Sequence, residues 1–252
     1  MQRFGSFDQT EIAYLDEGSG PAVLLLHGFA ADHVANWVAP GVVEALVDSG
    51  RRVVAADARG HGQSDKPTDP ARYGGSAMVD DARALLDHLS ITEVHVVGYS
   101  MGSMVASRLV PRERRARSLV LGGIGDAAAH GPPPANGGRI AEALLAEDPS
   151  SITDPLGRDF RSFADRTGAD RRALAAIQRA TSRRQPSAFH EIAVPTLVLI
   201  GDRDTLLGSP QQLAERIPDA QVRIIPGNHI TAVGKPDFRG AIVEFLDQLK
   251  PT

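Results

Sequence analysis

The chain has 252 residues, of which 42% are hydrophobic and 23% are charged, so it has an ordinary globular composition and enough length for a substantial core. Its formal net charge of −4 gives no sign of a nucleic-acid partner. Because cysteine is absent, disulfide bonds, thiolate metal sites and a cysteine nucleophile are excluded. No apolar segment has the length of a membrane span and residues 1–16 carry no apolar signal core, so we expect a soluble, cytoplasmic protein with no membrane partner.

Apolar runs typical of strands alternate with amphipathic stretches typical of helices along most of the chain. Strands are predicted, in chain order, over residues 3–8, 11–16, 22–26, 52–56, 94–97, 118–122, 195–200 and 221–225. Helices of the same region are predicted over residues 38–48, 76–89, 103–110, 209–216 and 238–249. This alternation predicts an α/β fold with a mostly parallel, eight-stranded, doubly wound sheet.

The pattern changes after residue 125, where the apolar strands stop and a proline-rich loop leads into short helical pieces. These pieces are predicted near residues 138–147, 157–166 and 170–181. We therefore divide the chain into a core of residues 1–125 and 191–252 and a helical cap insertion of residues 126–190.

The pentapeptide G-Y-S-M-G at residues 98–102 lies between a predicted strand and a predicted helix. G-x-S-x-G in that setting is the nucleophile elbow, a tight turn that presents a serine hydroxyl at the end of the sheet. Glycines at the two outer positions leave room where the strand and the helix approach each other closely. Ser100 is therefore the candidate nucleophile.

A serine hydroxyl attacks only when a base removes its proton. The candidate base is His229, which follows the last predicted strand, because the carboxyl ends of parallel strands meet at one rim. We interpret His27 and His61 as residues that hold loops, and His95 as a residue inside a strand. The other histidines are assigned to the surface or the insertion: His33, His88, His130 and His190.

An oxyanion hole needs two N–H donors aimed at the developing negative charge. The backbone of Met101, beside the nucleophile, and the backbone of Phe29, in the loop after the first central strand, are the candidate donors. Trp37 could border the acyl pocket or pack the start of a helix. Ile124 and Ile230 are further candidates for the pocket.

Five stretches together resemble the α/β-hydrolase superfamily, in particular its small serine hydrolases with a helical cap. In chain order they are H-G-F-A from residue 27, D-A-R-G-H-G-Q-S from residue 57, G-Y-S-M-G from residue 98, G-D-R-D from residue 201 and G-N-H from residue 227. The resemblance implies the order nucleophile, acid, base along the chain and points to Asp204 as the acid that orients the base. Asp202 and Asp126 remain alternatives for the acid.

These residues predict a serine hydrolase that cleaves a carboxylic ester of a small to medium, mainly apolar substrate through an acyl-enzyme on Ser100. Relatives with the same triad imply three alternatives, namely perhydrolysis as a cofactor-free haloperoxidase, carbon–carbon hydrolysis and enol-lactone hydrolysis. A ligand-binding module without activity is a further alternative, because a fold alone does not define function. We expect no cofactor and no metal, since dinucleotide-binding and H-E-x-x-H patterns are missing. The expected partner is a small ester, and the sequence does not indicate the oligomeric state.

Overall fold

One eight-stranded sheet organises the computed structural model, which describes residues 1–129, 134–181 and 187–249. Its strands are β1 (Gln2–Gly5), β2 (Glu11–Gly18), β3 (Ala22–Leu26), β4 (Arg52–Ala56), β5 (Val94–Tyr99), β6 (Ala116–Gly122), β7 (Thr196–Gly201) and β8 (Ala220–Ile225). The spatial order is β1-β2-β4-β3-β5-β6-β7-β8. β1 and β2 run antiparallel to their neighbours, and β3 to β8 are parallel. The predicted α/β fold with a mostly parallel sheet is thereby confirmed.

Helices cover both faces of this sheet. They are α1 (Val42–Asp48), α2 (Ala77–His88), α3 (Met101–Leu109), α4 (Pro134–Leu145), α5 (Pro155–Thr167), α6 (Arg171–Thr181), α7 (Pro210–Ala214) and α8 (Pro236–Gln248). In the ranges that the structure describes, none of these helices is both long enough and apolar enough to cross a bilayer.

Two hydrophobic clusters, one on each face, hold the helices to the sheet. Alternate residues of the central strands enter different clusters, as Leu24 and Val23 of β3 do, because successive side chains of a strand point to opposite faces. α1 and α8 pack on one face, and α2, α3 and α7 pack on the other. Burial on both faces explains why the central strands read as continuous apolar runs.

The helices α4, α5 and α6 lie between β6 and β7 in the chain, and α4 packs against both α5 and α6. Leu174 and Ile177 of α6 belong to the same buried cluster as α2 and α3, so this helical layer shares a core with the sheet. The cap boundaries at residues 126 and 190 stay a prediction. Within that insertion, residues 130–133 and 182–186 lie outside the described ranges, and His130 is one of them.

The predicted helix over residues 38–48 is wrong in its first part. A single π-helical turn spans Val34–Val38, and α1 begins only at Val42. Between them stand Pro40, which has no backbone N–H to donate to a helical hydrogen bond, and Gly41, whose φ of 74° lies in the left-handed region. The helical pattern of the sequence therefore runs across a point where these two residues interrupt the helix itself.

The turn between β5 and α3 holds the helix unusually close to β3. A methyl group on Gly102 would lie 1.8 Å from the carbonyl oxygen of Leu26, and one on Gly98 would lie 2.5 Å from the backbone nitrogen of Ser103. Only hydrogen fits at both positions. Ser100, between them, adopts φ 51° and ψ −111°, a left-handed φ that an L residue keeps only where its surroundings hold it.

We expect Gly102→Ala to lower the free energy of unfolding by about 3 kcal/mol, because the new methyl overpacks against backbone that cannot yield. Gly240→Ala is the matched control, since no atom lies within 4 Å of the corresponding position in α8. That control should gain about 0.5–1 kcal/mol from helix propensity. Urea unfolding of both variants measures the difference, and equal stability of the two would contradict the tight approach of α3 to β3.

Candidate active site

Three side chains from three loops form a continuous hydrogen-bonded relay at the carboxyl end of the sheet. The Oγ of Ser100 lies 2.9 Å from Nε2 of His229, and Nδ1 of the same imidazole lies 2.8 Å from Oδ2 of Asp204. With its proton on Nδ1, the imidazole donates to the carboxylate and accepts from the hydroxyl. This is the arrangement that lets a base remove the serine proton while an acid stabilises the resulting imidazolium.

The two alternative acids have other partners. Asp126 accepts a hydrogen bond from the backbone N–H of Ser209 at 2.7 Å. Asp202 accepts one from the backbone N–H of Gly227 at 2.8 Å, which ties the loop before the base to the loop of the acid. Asp204 is the aspartate that the structure brings to His229, and its carboxylate is almost fully buried.

Tyr99 holds the loop that carries the base. Its hydroxyl donates a 2.5 Å hydrogen bond to the backbone carbonyl of His229, and its ring lies beside the imidazole, with centroids 5.6 Å apart. Burial, together with the nearby charge of Asp204, raises the pKa of Tyr99, so the phenol stays a hydrogen-bond donor. A methyl on Gly123 would lie 2.9 Å from this ring, which explains why the residue directly after β6 is glycine.

The candidate oxyanion donors lie on two adjacent strand ends. β3 and β5 are neighbours, with Leu26 opposite Gly98, and the chain turns away on opposite sides of them. Met101 is the first residue of α3, so its N–H belongs to the helix end that has no partner within the helix. A methyl on Gly28, the residue before Phe29, would lie 3.5 Å from Cβ of Ser100. Both candidate donors are therefore adjacent to the nucleophile.

Hydrogen bonds from buried side chains hold the loop that carries Phe29. The backbone N–H of Gly28 donates to Oδ1 of Asn36 at 2.8 Å. His27 donates from Nδ1 to the Gly28 carbonyl at 2.8 Å and accepts at Nε2 from the backbone N–H of Ala58 at 2.9 Å. Complete burial lowers the pKa of His27, which keeps the neutral tautomer that these two bonds require. His27 thus has the loop-holding role expected of it.

His33 is not a surface residue, and that assignment was wrong. It is buried, and its Nδ1 and its backbone N–H both lie 2.9 Å from Oδ1 of Asp57, at the end of β4. The hydrogen bond to Asp57 raises the pKa of His33. Burial alone would raise the pKa of Asp57, but hydrogen bonds, that of His33 foremost, lower it to about 2.

His61 is also buried and holds its loop through a 3.2 Å contact between Nδ1 and the carbonyl of Arg59. Burial, reinforced by the neighbouring His27, lowers the pKa of His61 to about 3. It is therefore a neutral ring, packed edge-on at 5.8 Å from the ring of Phe29. Among the described residues, no three His, Asp or Glu side chains cluster as a metal site would require.

The relay opens into a cavity of about 640 Å³, within the size range of small-molecule sites. Its walls are mainly apolar, and they come from the Phe29 loop, from α5 of the helical layer and from the loop after the base. The apolar lining is Phe29, Ala31, Ala35, Pro40, Leu156, Phe160, Phe163, Leu206, Ile230 and Val233. The polar lining beyond the relay includes Asn36, Asp159, Arg203 and Lys235.

Of the three pocket candidates, the structure places one in this cavity. Ile230 lines it and is half exposed. Trp37 does not, because it is fully buried behind the sheet, stacked on Phe238 with centroids 6.4 Å apart. Ile124 does not either, since it is fully buried in the hydrophobic cluster on the other face. Trp37 thus follows its packing alternative and Ile124 was misplaced, because burial, and not the cavity, accounts for both apolar side chains.

Sequence reasoning missed two residues that hold the site, Asn36 and Tyr99. Asn36 stands next to the single tryptophan, and nothing in its surroundings marks it as the acceptor for a loop N–H. Tyr99 occupies the variable position of the elbow motif, but the glycines at 122 and 123 were a usable signal, since they leave space for a large ring at that strand end.

Comparisons with known proteins agree with this architecture. The model of the family described as the alpha/beta hydrolase fold matches residues 21–163. A 2-hydroxy-6-oxononadienedioate/2-hydroxy-6-oxononatrienedioate hydrolase from Cupriavidus pinatubonensis is 31% identical over 92% of this chain and 89% of its own. A thermophilic esterase from Thermogutta terrifontis superposes with a TM-score of 0.78 at 27% identity, covering 100% of both chains.

A third relative is longer than this chain. The dihydrolipoyllysine-residue acetyltransferase component of an acetoin cleaving system from Pseudomonas putida is 31% identical over 83% of the chain, which spans 58% of that relative. Fold, family match and relatives together lead to one identification. The chain belongs to the alpha/beta hydrolase fold family, and membership of this family supports hydrolase activity.

The buried pair of His33 and Asp57 makes stability depend on pH in a defined window. A histidine with a raised pKa stabilises fully below its ordinary value of 6.5, and this contribution is lost as the pH rises through the folded value. An aspartate with a lowered pKa stabilises above its ordinary value of 3.8, and this contribution is lost toward pH 2.

We therefore expect His33→Asn, which keeps a donor but no charge, to be less stable than the wild type by about 1–2 kcal/mol between about pH 4 and 6.5. The difference should shrink on both sides of that window. Urea unfolding at several pH values measures it, and a difference that stays constant from pH 4 to 9 would show that the pair is not ionised.

Proposed function

We propose that the protein is a serine hydrolase that cleaves carboxylic esters of small to medium, mainly apolar substrates. The observation that carries the proposal is the relay of Ser100, His229 and Asp204, with spacings of 2.9 and 2.8 Å, on the floor of a mainly apolar cavity. A triad that opens into such a cavity is suited to acyl transfer on an uncharged substrate.

In the proposed reaction, the Ser100 hydroxyl attacks the ester carbonyl while Nε2 of His229 takes its proton. The carbonyl oxygen becomes an oxyanion, which the backbone N–H groups of Phe29 and Met101 stabilise. The imidazolium, stabilised by Asp204, then protonates the leaving alcohol, and the acyl group stays on Ser100. Water, deprotonated by His229, attacks the acyl-enzyme, and the imidazolium returns this proton to Oγ of Ser100 as the carboxylic acid is released.

Carbon–carbon hydrolysis is the second candidate, because the relative from Cupriavidus pinatubonensis is named as an oxo-dienedioate hydrolase and matches nearly the whole chain. Less supports perhydrolysis, which relatives with the same triad carry out with a tryptophan near the site, since Trp37 lies away from the cavity. Three substrates separate the reactions. Turnover of p-nitrophenyl esters reports ester hydrolysis, turnover of 2-hydroxy-6-oxononadienedioate reports carbon–carbon hydrolysis, and turnover of acetate with peroxide reports perhydrolysis.

We expect the wild type to release a burst of p-nitrophenol from p-nitrophenyl butyrate, equal to one equivalent per protein chain, if deacylation is the slower step. Ser100→Ala should lose both the burst and the turnover, because no nucleophile remains. Stopped-flow absorbance measures both. Undiminished turnover in Ser100→Ala would refute the proposed mechanism.

The acid is tested by three matched substitutions. We expect Asp204→Asn to lower kcat by about 10⁴, because the amide favours the wrong tautomer of His229. Asp126→Asn and Asp202→Asn should retain far more activity, since these carboxylates accept hydrogen bonds from backbone N–H groups and neither is the partner of His229. Steady-state kinetics on one activated ester compares them. Loss of activity in Asp126→Asn alone would transfer the role of acid to that residue.

A further inference from the structure

The loop that carries the Phe29 N–H is held from two sides by different parts of the protein. Before Phe29, the core holds the peptide of Gly28 through Asn36 and His27. After Phe29, the backbone carbonyl of Ala30 accepts a 2.8 Å hydrogen bond from Oγ1 of Thr167. Thr167 is the last residue of α5, which belongs to the helical layer between β6 and β7.

The hydrogen bond from Thr167 stabilises a backbone conformation of Ala30 that is unfavourable in an ordinary loop. Ala30 is a fully buried alanine with φ 60°, in the left-handed region that alanine disfavours. Within the loop, a long 3.3 Å hydrogen bond from the N–H of Ala31 to the carbonyl of Gly28 supports that conformation. The carbonyl of Ala30 itself points to the cap, where Thr167 meets it.

A second contact joins the same two elements. The ring of Phe160, on α5, packs edge-on against the ring of Phe29 with centroids 5.5 Å apart. α5 therefore touches the loop at the candidate donor residue through a ring and at the next residue through a hydrogen bond. Displacement of α5 would remove both contacts from a strained segment.

We propose that Thr167 is a positioning residue of the cap that completes the oxyanion hole by holding Ala30, and through it the N–H of Phe29, in place. The inference rests on the proposed ester hydrolysis, in which attack on the carbonyl creates the oxyanion. Thr167 does not touch the substrate. Its hydroxyl restrains the donor loop, so its effect is greatest where negative charge develops, in acylation and deacylation.

The hydroxyl of Thr167 also lies 3.1 and 3.2 Å from the carbonyls of Phe163 and Ala164 in its own helix, so a purely structural role must be separated from positioning. Thr167→Val removes the hydroxyl at nearly constant shape, and Thr167→Ser restores it. Ser162→Ala is the matched control, because it deletes an exposed hydroxyl of α5 whose partner among the described residues is Arg166.

The experiment measures the acylation rate and KM with p-nitrophenyl butyrate, and the inhibition constant of butylboronic acid, whose tetrahedral adduct places an oxygen in the hole. We expect Thr167→Val to acylate about tenfold more slowly with a KM changed by less than about twofold, since a loosened donor weakens transition-state stabilisation. The boronic acid should bind more weakly by the same factor as the acylation rate falls.

Thr167→Ser should recover most of both losses, and Ser162→Ala should equal the wild type. The proposal is overturned if Thr167→Val acylates at the wild-type rate, if serine does not restore the rate, or if the loss lies in KM alone. Should the valine variant be unstable, Thr167→Ala is compared with Thr167→Ser in its place. Failure of the ester mechanism itself is distinct, because it would appear as a wild type without acylation of Ser100.

Discussion

The close approach of α3 to the end of β3 is the constraint on which the candidate site depends. Gly102 lies so near the carbonyl of Leu26 that no side chain fits, and this contact determines where the helix begins. Ser100 must then turn through a left-handed conformation between strand and helix. The donor loop leaves β3 at that same residue, Leu26. One backbone contact therefore determines the distance between the nucleophile and the loop of Phe29.

Buried electrostatics hold the remaining loops to this junction. Asp57, ionised although it is fully buried, bonds His33 and the backbone N–H of Gln63. His27, neutral, joins the loop after β3 to the loop after β4. A buried charge is costly unless its partners are present, so loss of any one of these hydrogen bonds would leave a buried polar group unpaired. Hydrogen bonds of buried groups thus tie the rim that carries the relay to the core.

The sequence predicts the sheet well because burial on both faces leaves uninterrupted apolar runs, and the elbow well because its glycines answer a local steric need. It fails where a role depends on contacts distant in the chain. His33 looks like a polar loop residue until Asp57, 24 positions later, is placed beside it. Ile124 fails for a related reason, since an apolar side chain near a strand end suits a core and a cavity equally, and the same two alternatives stayed open for Trp37. Thr167 meets Ala30 across 137 residues, and no local pattern records that contact.

The helix α5 joins two tasks that are usually described separately. Leu156, Phe160 and Phe163 form an apolar wall of the cavity, and Thr167, on the same helix, holds the donor loop. A substrate group that packs on this wall stabilises the position of α5 and, on our proposal, the N–H of Phe29 as well. Apolar contact far from the ester would then be expressed as faster turnover rather than tighter binding, because it strengthens an interaction made mainly in the transition state. Substrate choice and catalytic rate would in that case share one structural element.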